Sequence, residues 1–187
     1  MKKFRFPFFL FILLGFLLSG CLTCEKKEYI FELTGPESGK LTIRFVNIFS
    51  NSLDSAGEVK TDYAELVDMW LEGEKIERDY PLATKFRKRL YEANGQLCGE
   101  VSIEFSSLKA VRLYKYDAQS PYMLNTTTMP DDGETFLSSN GEFGGDHMPV
   151  IFWRPDNSTM RLVTSIAKPD STTVSLLDTW KANTKKR

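Results

Sequence analysis

The sequence predicts a mostly β protein, an antiparallel sandwich that follows a cleaved export signal. Three observations carry this expectation. Several short segments alternate apolar and polar residues with a period of two. Clusters of Gly, Pro, Asn, Asp and Ser separate them at short intervals. Ahead of them stands a short basic and then apolar N-terminus. The chain has 187 residues, 42% hydrophobic and 26% charged, which suits one packed domain rather than a disordered segment.

Lys2, Lys3 and Arg5 are followed by an apolar run, Phe6 to Leu18, broken only by Pro7 and Gly15. A bilayer-spanning helix needs roughly 20 apolar residues, so this run reads as the h-region of a signal peptide over residues 1–20. Leu18-Ser19-Gly20-Cys21 resembles the lipobox of bacterial lipoproteins. That resemblance implies cleavage before Cys21 and acyl chains, palmitate among them, on that cysteine. Several buried chains anchor far more firmly than one, at about 0.8 kcal/mol per buried CH₂. Leu22 at the second mature position, where the family's inner-membrane signal is usually Asp, implies the outer membrane of the bacterial envelope. Whether the domain would face the periplasm or the cell surface stays open. The competing reading is an ordinary cleaved signal with a chance cysteine.

With Cys21 lipidated, Cys24 and Cys98 remain. Two thiols in an oxidising compartment suggest a disulfide. Closing the loop between them would contribute roughly 4 kcal/mol in the chain-entropy model. The alternative is a buried Cys98 thiol and a Cys24 that rides in a tether over residues 21–28. A single β-rich domain is expected over 29–180 and a basic tail over 181–187.

Tyr29 to Leu33 reads as a first strand, ended by Gly35-Pro36. Lys40 to Ile48 alternates Leu41, Ile43 and Phe45 with Thr42 and Arg44. Residues 47–57 carry loop chemistry. Cys98 to Phe105 alternates Val101, Ile103 and Phe105 with Glu100, Ser102 and Glu104, a strand with one wet face. Val111 to Tyr116, Val150 to Trp153, Met160 to Ile166 and Thr172 to Leu177 read as further strands. Asp156-Asn157-Ser158 fits a hairpin turn and Pro169-Asp170 a second turn. Residues 117–149 show weak periodicity and read as a long loop pinned by Phe136-Leu137 and Phe143.

Residues 62–94 admit two readings. As helix, Asp62 caps with Glu65, and Tyr63, Leu66, Val67 and Trp70 share a face. Leu82, Phe86 and Leu90 also stand four apart, with Asn94-Gly95 as a stop. This is the α+β alternative, with helices near 62–72 and 81–94. As strand, Val67, Met69 and Leu71 alternate with Asp68, Trp70 and Glu72. The segment Leu41-Thr42-Ile43-Arg44-Phe45-Val46-Asn47, with Val67-Asp68-Met69-Trp70-Leu71-Glu72-Gly73, resembles the opening of DUF4397-type bacterial envelope domains. That resemblance implies an immunoglobulin-like sandwich with residues 62–94 in strands.

A formal charge of −1 excludes a chain built mainly to grip nucleic acid. Removal of Lys2, Lys3 and Arg5 with the signal leaves 21 Lys+Arg against 25 Asp+Glu, a mildly acidic domain. One histidine excludes a multi-His metal site, and three cysteines exclude a Cys₄ zinc site. No cofactor is implied: phosphate-binding and dinucleotide motifs are absent from the sequence. No Gly-x-Ser-x-Gly elbow supports a catalytic serine, and His147 in a Gly-rich loop reads as solvated. Asp131-Asp132-Gly133-Glu134 clusters carboxylates without the alternating spacing of a calcium loop, and reads as a turn. Lys85, Arg87, Lys88 and Arg89 read as a solvated basic face. Trp70, Trp153 and Trp180 read as core, with a ligand-binding face as the alternative. The expectation is a membrane-anchored, non-catalytic lipoprotein with a protein or glycan partner. An anchored hydrolase and a subunit of an envelope or secretion assembly are the alternatives.

Overall fold

Ten strands and three α-helices build the part of the chain that the computed structural model describes, residues 22–51, 56–130 and 133–185. The signal peptide, Cys21, Asp131, Asp132 and the last two residues of the basic tail lie outside it. β1 (Leu22–Leu33) and β2 (Gly39–Ser50) form a long antiparallel hairpin, in register from Leu22↔Ser50 to Leu33↔Gly39. β3 (Thr84–Ala93) and β4 (Gln96–Phe105) form a second hairpin, and β4 pairs with β2. β9 (Thr159–Ser165) pairs with the other side of β1, and β6 (Thr135–Ser139) with β9. The large sheet therefore runs β3-β4-β2-β1-β9-β6. A two-residue β10 (Val174–Ser175) joins β2 beyond the point where β4 leaves it. β5 (Tyr122–Asn125), β7 (Glu142–Phe143) and β8 (Val150–Trp153) form a smaller antiparallel sheet in the order β5-β8-β7. This is the mostly β, antiparallel, sandwich-like architecture that the alternation predicts.

The inner face of the large sheet carries Tyr29, Phe31, Leu41, Ile43, Val101, Ile103 and Leu162, which meet Leu124, Ile151 and Trp153 of the small sheet. Phe31 and Trp153 lie 6.3 Å apart at 57°. The chain crosses between sheets at Asn140-Gly141. The Asn140 amide oxygen accepts hydrogen bonds from Trp153 Nε1 at 2.9 Å and from the Arg161 backbone N–H at 2.7 Å. A Cβ on Gly141 would stand 2.6 Å from both the Phe152 carbonyl and Trp153, so only glycine allows this approach. The outer face is a charge ladder. Glu28, Arg44, Glu100 and Arg89 sit opposite one another on β1, β2, β4 and β3, with alternating sign.

The helical reading of 62–72 holds, and of the strands that the DUF4397 resemblance implies over 62–94 Thr84–Ala93 alone forms. α1 (Ala56–Glu65) runs into a single π-helical turn, Leu66–Leu71, and α2 (Lys75–Asp79) follows. Asp62 does not cap the helix: it lies within α1 and accepts a hydrogen bond from buried Ser50 Oγ. The helical reading of 81–94 fails, because that segment is β3. Asn94 and Gly95 have φ of 52° and 74°, the two left-handed residues of a tight hairpin, so this dipeptide turns a strand rather than stopping a helix.

Four further expectations change. Residues 22–28 are no tether but the first half of β1, paired with β2 from Leu22 and with β9 from Lys26. Val111 to Tyr116 is not a strand: a 3₁₀ turn covers Leu108–Val111, and only Tyr114 forms a bridge, to Met123. The 117–149 stretch holds β5, β6 and β7, although Phe136 and Phe143 pin it as expected, with rings 4.1 Å apart. Asp156-Asn157-Ser158 turns the chain from the small sheet to the large one and closes no hairpin. At the C-terminus, α3 (Leu177–Thr184) replaces the end of the expected last strand and most of the expected tail.

The disulfide between Cys24 and Cys98 is also corrected: the two buried cysteines are not joined. β2 separates their strands, and Cys98 alternates with inward Leu97 and Gly99 while Cys24 packs in the inner cluster. Two strand spacings are about 10 Å, beyond the roughly 7 Å limit for a bridge.

Two local features set the inner face. The first is a change of phase. Lys27, Tyr29 and Phe31 point inward on β1, but so does Cys24; on β2 the inward set passes from Leu41 and Ile43 to Ile48. The break falls at Glu25 and Asn47. Asn47 adopts φ 56°, and its side-chain amide donates to Glu25 Oε2 at 2.9 Å. The second is a buried ion pair. Lys27 Nζ lies 2.9 Å from Glu134, with the two side chains 5% and 2% exposed. Tyr29 Oη and Thr164 Oγ1 also donate to that carboxylate, at 2.8 and 2.7 Å.

Asn47→Ala is expected to lower stability by about 1 kcal/mol, and Asn47→Gly by less, in urea titrations, because an L-residue with Cβ resists left-handed φ. Lys27→Met leaves Glu134 buried without its cation and is expected to cost about 3–5 kcal/mol. The double variant Lys27→Met/Glu134→Leu should regain most of that loss in the same titration.

Candidate functional site

The helical segment packs over the sheet where two hydrophobic clusters meet. One cluster contains Ile43, Ile76, Val101 and the small sheet; the other contains Cys24, Ile48, Leu66, Leu97, Leu176 and Leu177. Phe45 and Trp70 pack against both. Their rings meet edge to face, 6.0 Å apart at 69°.

A groove of about 330 Å³ opens at this junction. Its floor is Phe45, Ile48, Leu90, Gly99 and Val101. Its wall is Leu66, Trp70 and Leu71 of the π turn, with Lys75 and Ile76 of α2. Its end is the start of β1, Leu22 to Cys24, with Ile166. Gly99 lets Ile48 and Leu90 close over the floor: a Cβ there would lie 3.3 Å from Ile48 Cδ1 and 3.6 Å from Leu90 Cδ2, so a larger side chain would push them toward the groove. The wall owes its position to Gly73. A Cβ at Gly73 would meet the Asp68 and Met69 carbonyls at 2.4 and 2.7 Å, so only glycine closes the π turn this tightly. Lys88 holds the same turn by donating to the Gly73 carbonyl and pairing with Glu77 at 2.9 Å.

The polar groups of the lining are mostly committed. Lys27 belongs to Glu134, Lys88 to Glu77, and Arg89 to Glu100 at 2.7 Å. Three are not. Lys75 lies 4.3 Å above the Trp70 ring and has no carboxylate within ion-pairing distance among the described residues. Glu65 has no cation at that distance among them either. Trp70 Nε1 is buried and has no hydrogen-bond acceptor among the described residues. A buried indole N–H normally finds a partner, and its absence costs roughly 1–3 kcal/mol.

The residues singled out in the sequence fall as follows. Trp153 is core and Trp180 is partly buried against the second cluster, but Trp70 lines the groove. The basic cluster is divided by the strand. Lys85 and Arg89 pair outward with Glu104 and Glu100, while Lys88 turns inward to the groove. His147 is exposed in a turn. Glu134 serves the buried ion pair. No group of three or more His, Cys, Asp and Glu side chains stands ready for a metal among the described residues. Cys21 lies outside the described residues, one residue before the groove's end. Lys75, Gly99 and Lys27 carried no sequence signal as site residues; the π turn and the strand pairing bring them together. No family model, curated protein or solved structure matches the chain.

Glu100 ties the groove to the outer ladder. Burial raises the pKa of its carboxyl, but the hydrogen bonds and charges of Arg89 and Arg44 outweigh this and hold it below the ordinary range. A depressed carboxylate stabilises the fold above its unfolded pKa, about 4.3, and loses that contribution as pH falls through its folded value. The stability difference between wild type and Glu100→Gln is therefore expected to stay constant from pH 7 to about 5 and to shrink below about 4, read from urea midpoints at each pH.

Proposed function

We propose that the chain is an exported lipoprotein of the bacterial envelope, anchored by acyl chains on Cys21 and acting by binding rather than by catalysis. The anchor rests on the Leu18-Ser19-Gly20-Cys21 motif behind a short apolar run, and the outer membrane on Leu22. The observation that carries the binding role is the groove. Its volume of about 330 Å³ stands at the low end of ligand pockets, and its apolar floor with few uncommitted polar groups is what such pockets share. An apolar side chain or an acyl chain of a partner suits that floor better than a glycan. The hydroxyls of a sugar would lose water there without finding acceptors or donors.

Metabolic labelling with an alkyne-bearing palmitate, in a bacterium that expresses the full chain, tests the anchor. Wild type is expected to take up label and fractionate with membranes, and Cys21→Ser to take up none. An unlabelled wild-type chain with a free mature N-terminus at any other residue would overturn the lipoprotein reading.

A further inference from the structure

We propose that the groove takes an aliphatic chain that ends in a carboxylate, a single-chain anionic amphiphile; this rests on the binding reading above. The floor supplies the apolar half of the match. Phe45, Ile48, Leu90 and Val101 line it, with Ile48 and Leu90 closed over Gly99. At roughly 30 Å³ per water-sized group, about 330 Å³ holds a chain of about ten such groups. The head group follows from what the wall leaves unpaired. Lys75 places an ammonium 4.3 Å above the Trp70 ring, with no carboxylate within ion-pairing distance among the described residues. A carboxylate at the groove accepts from Lys75, and charge-assisted hydrogen bonds of this kind are the strong ones. The remaining cations of the lining, Lys27, Lys88 and Arg89, are each held by a protein carboxylate, so they do not compete for the ligand. Glu65 is the opposing charge left in the lining, since Glu100 is held by Arg44 and Arg89. It makes the sign of the head group a measurable choice, since a cationic head would favour Glu65 and an anionic one Lys75.

The test uses the full chain purified from membranes and held in phosphatidylcholine nanodiscs. It is photolabelled with diazirine-bearing dodecanoate or dodecylamine, and the labelled peptides are mapped by mass spectrometry. The expected result is dodecanoate label on the 66–71 and 90–101 segments, competed by dodecanoate and poorly by dodecylamine. Lys75→Met should weaken that competition about tenfold. Gly99→Leu should abolish the label while the far-ultraviolet circular dichroism stays that of wild type. Equal groove labelling by acid and amine, both lost in Gly99→Leu, overturns the carboxylate assignment and leaves the binding reading standing. Failure of both probes to label the groove overturns both. Groove labelling that appears only in Cys21→Ser gives the space to the chain's own lipid and overturns the proposal.

Discussion

The change of phase at Glu25 and Asn47 is the constraint on which the rest of this structure depends. A regular β1–β2 hairpin would keep one set of side chains inward along its whole length, because the side-chain period of a strand is two. Here the set that packs on the small sheet, Tyr29, Phe31, Leu41 and Ile43, gives way to Cys24 and Ile48, which pack on the helices. A single left-handed residue makes the switch, and Asn is among the few that enter that region at low cost. One continuous hairpin thereby serves two clusters. The groove opens where the two clusters join, bridged by Phe45 and Trp70.

The ion pair of Lys27 and Glu134 works on the same strand, one turn of pleat away. A buried charge pair is seldom a net source of stability, since desolvation offsets most of the Coulomb attraction. What it supplies here is position. Glu134 precedes β6 and is gripped by Lys27 and Tyr29 of β1 and by Thr164 of β9. It thus fixes where the chain returns to the large sheet after the segment that includes β5. Three donors around one carboxylate leave few other arrangements that satisfy all of them. On the opposite face, the ladder Glu28, Arg44, Glu100 and Arg89 keeps the sheet wet, so the small sheet and the helices all gather on one side.

The sequence is legible where a strand has one wet and one dry face. β4 is the clearest case: Val101, Ile103 and Phe105 alternate with Glu100, Ser102 and Glu104, and the burial follows. β8 and β9 read in the same way. It is illegible where the signal lies in pairing. Residues 22–28 look polar because their outward side chains, Lys26 and Glu28, are charged, and the inward charge of Lys27 is cancelled by a residue 107 positions away. Asn94-Gly95 was ambiguous because a helix stop and a hairpin turn use the same residues. The spacing of Leu82, Phe86 and Leu90 favoured the helix, and pairing with β4 overrode it. The groove residues were less legible still. Trp70 drew notice as an aromatic, but Gly99 and Lys75 acquire meaning only when the π turn is laid over the sheet.

The place of the groove gives the proposed anchor a consequence. β1 begins at Leu22 and is paired from that residue onward, so no slack chain separates the domain from position 21. Consecutive Cα atoms lie 3.8 Å apart, and Leu22, Thr23 and Cys24 themselves line the groove's end. On the proposed anchor, a lipid on Cys21 would hold the groove's end near the membrane. A groove held at a membrane surface meets amphiphiles at far higher local concentration than one facing bulk water, because such molecules partition into the bilayer. The apolar floor, Lys75 above the Trp70 ring, and pairing of the strand from Leu22 then belong to one arrangement. A lipid anchor would set the orientation, and orientation would supply the ligand.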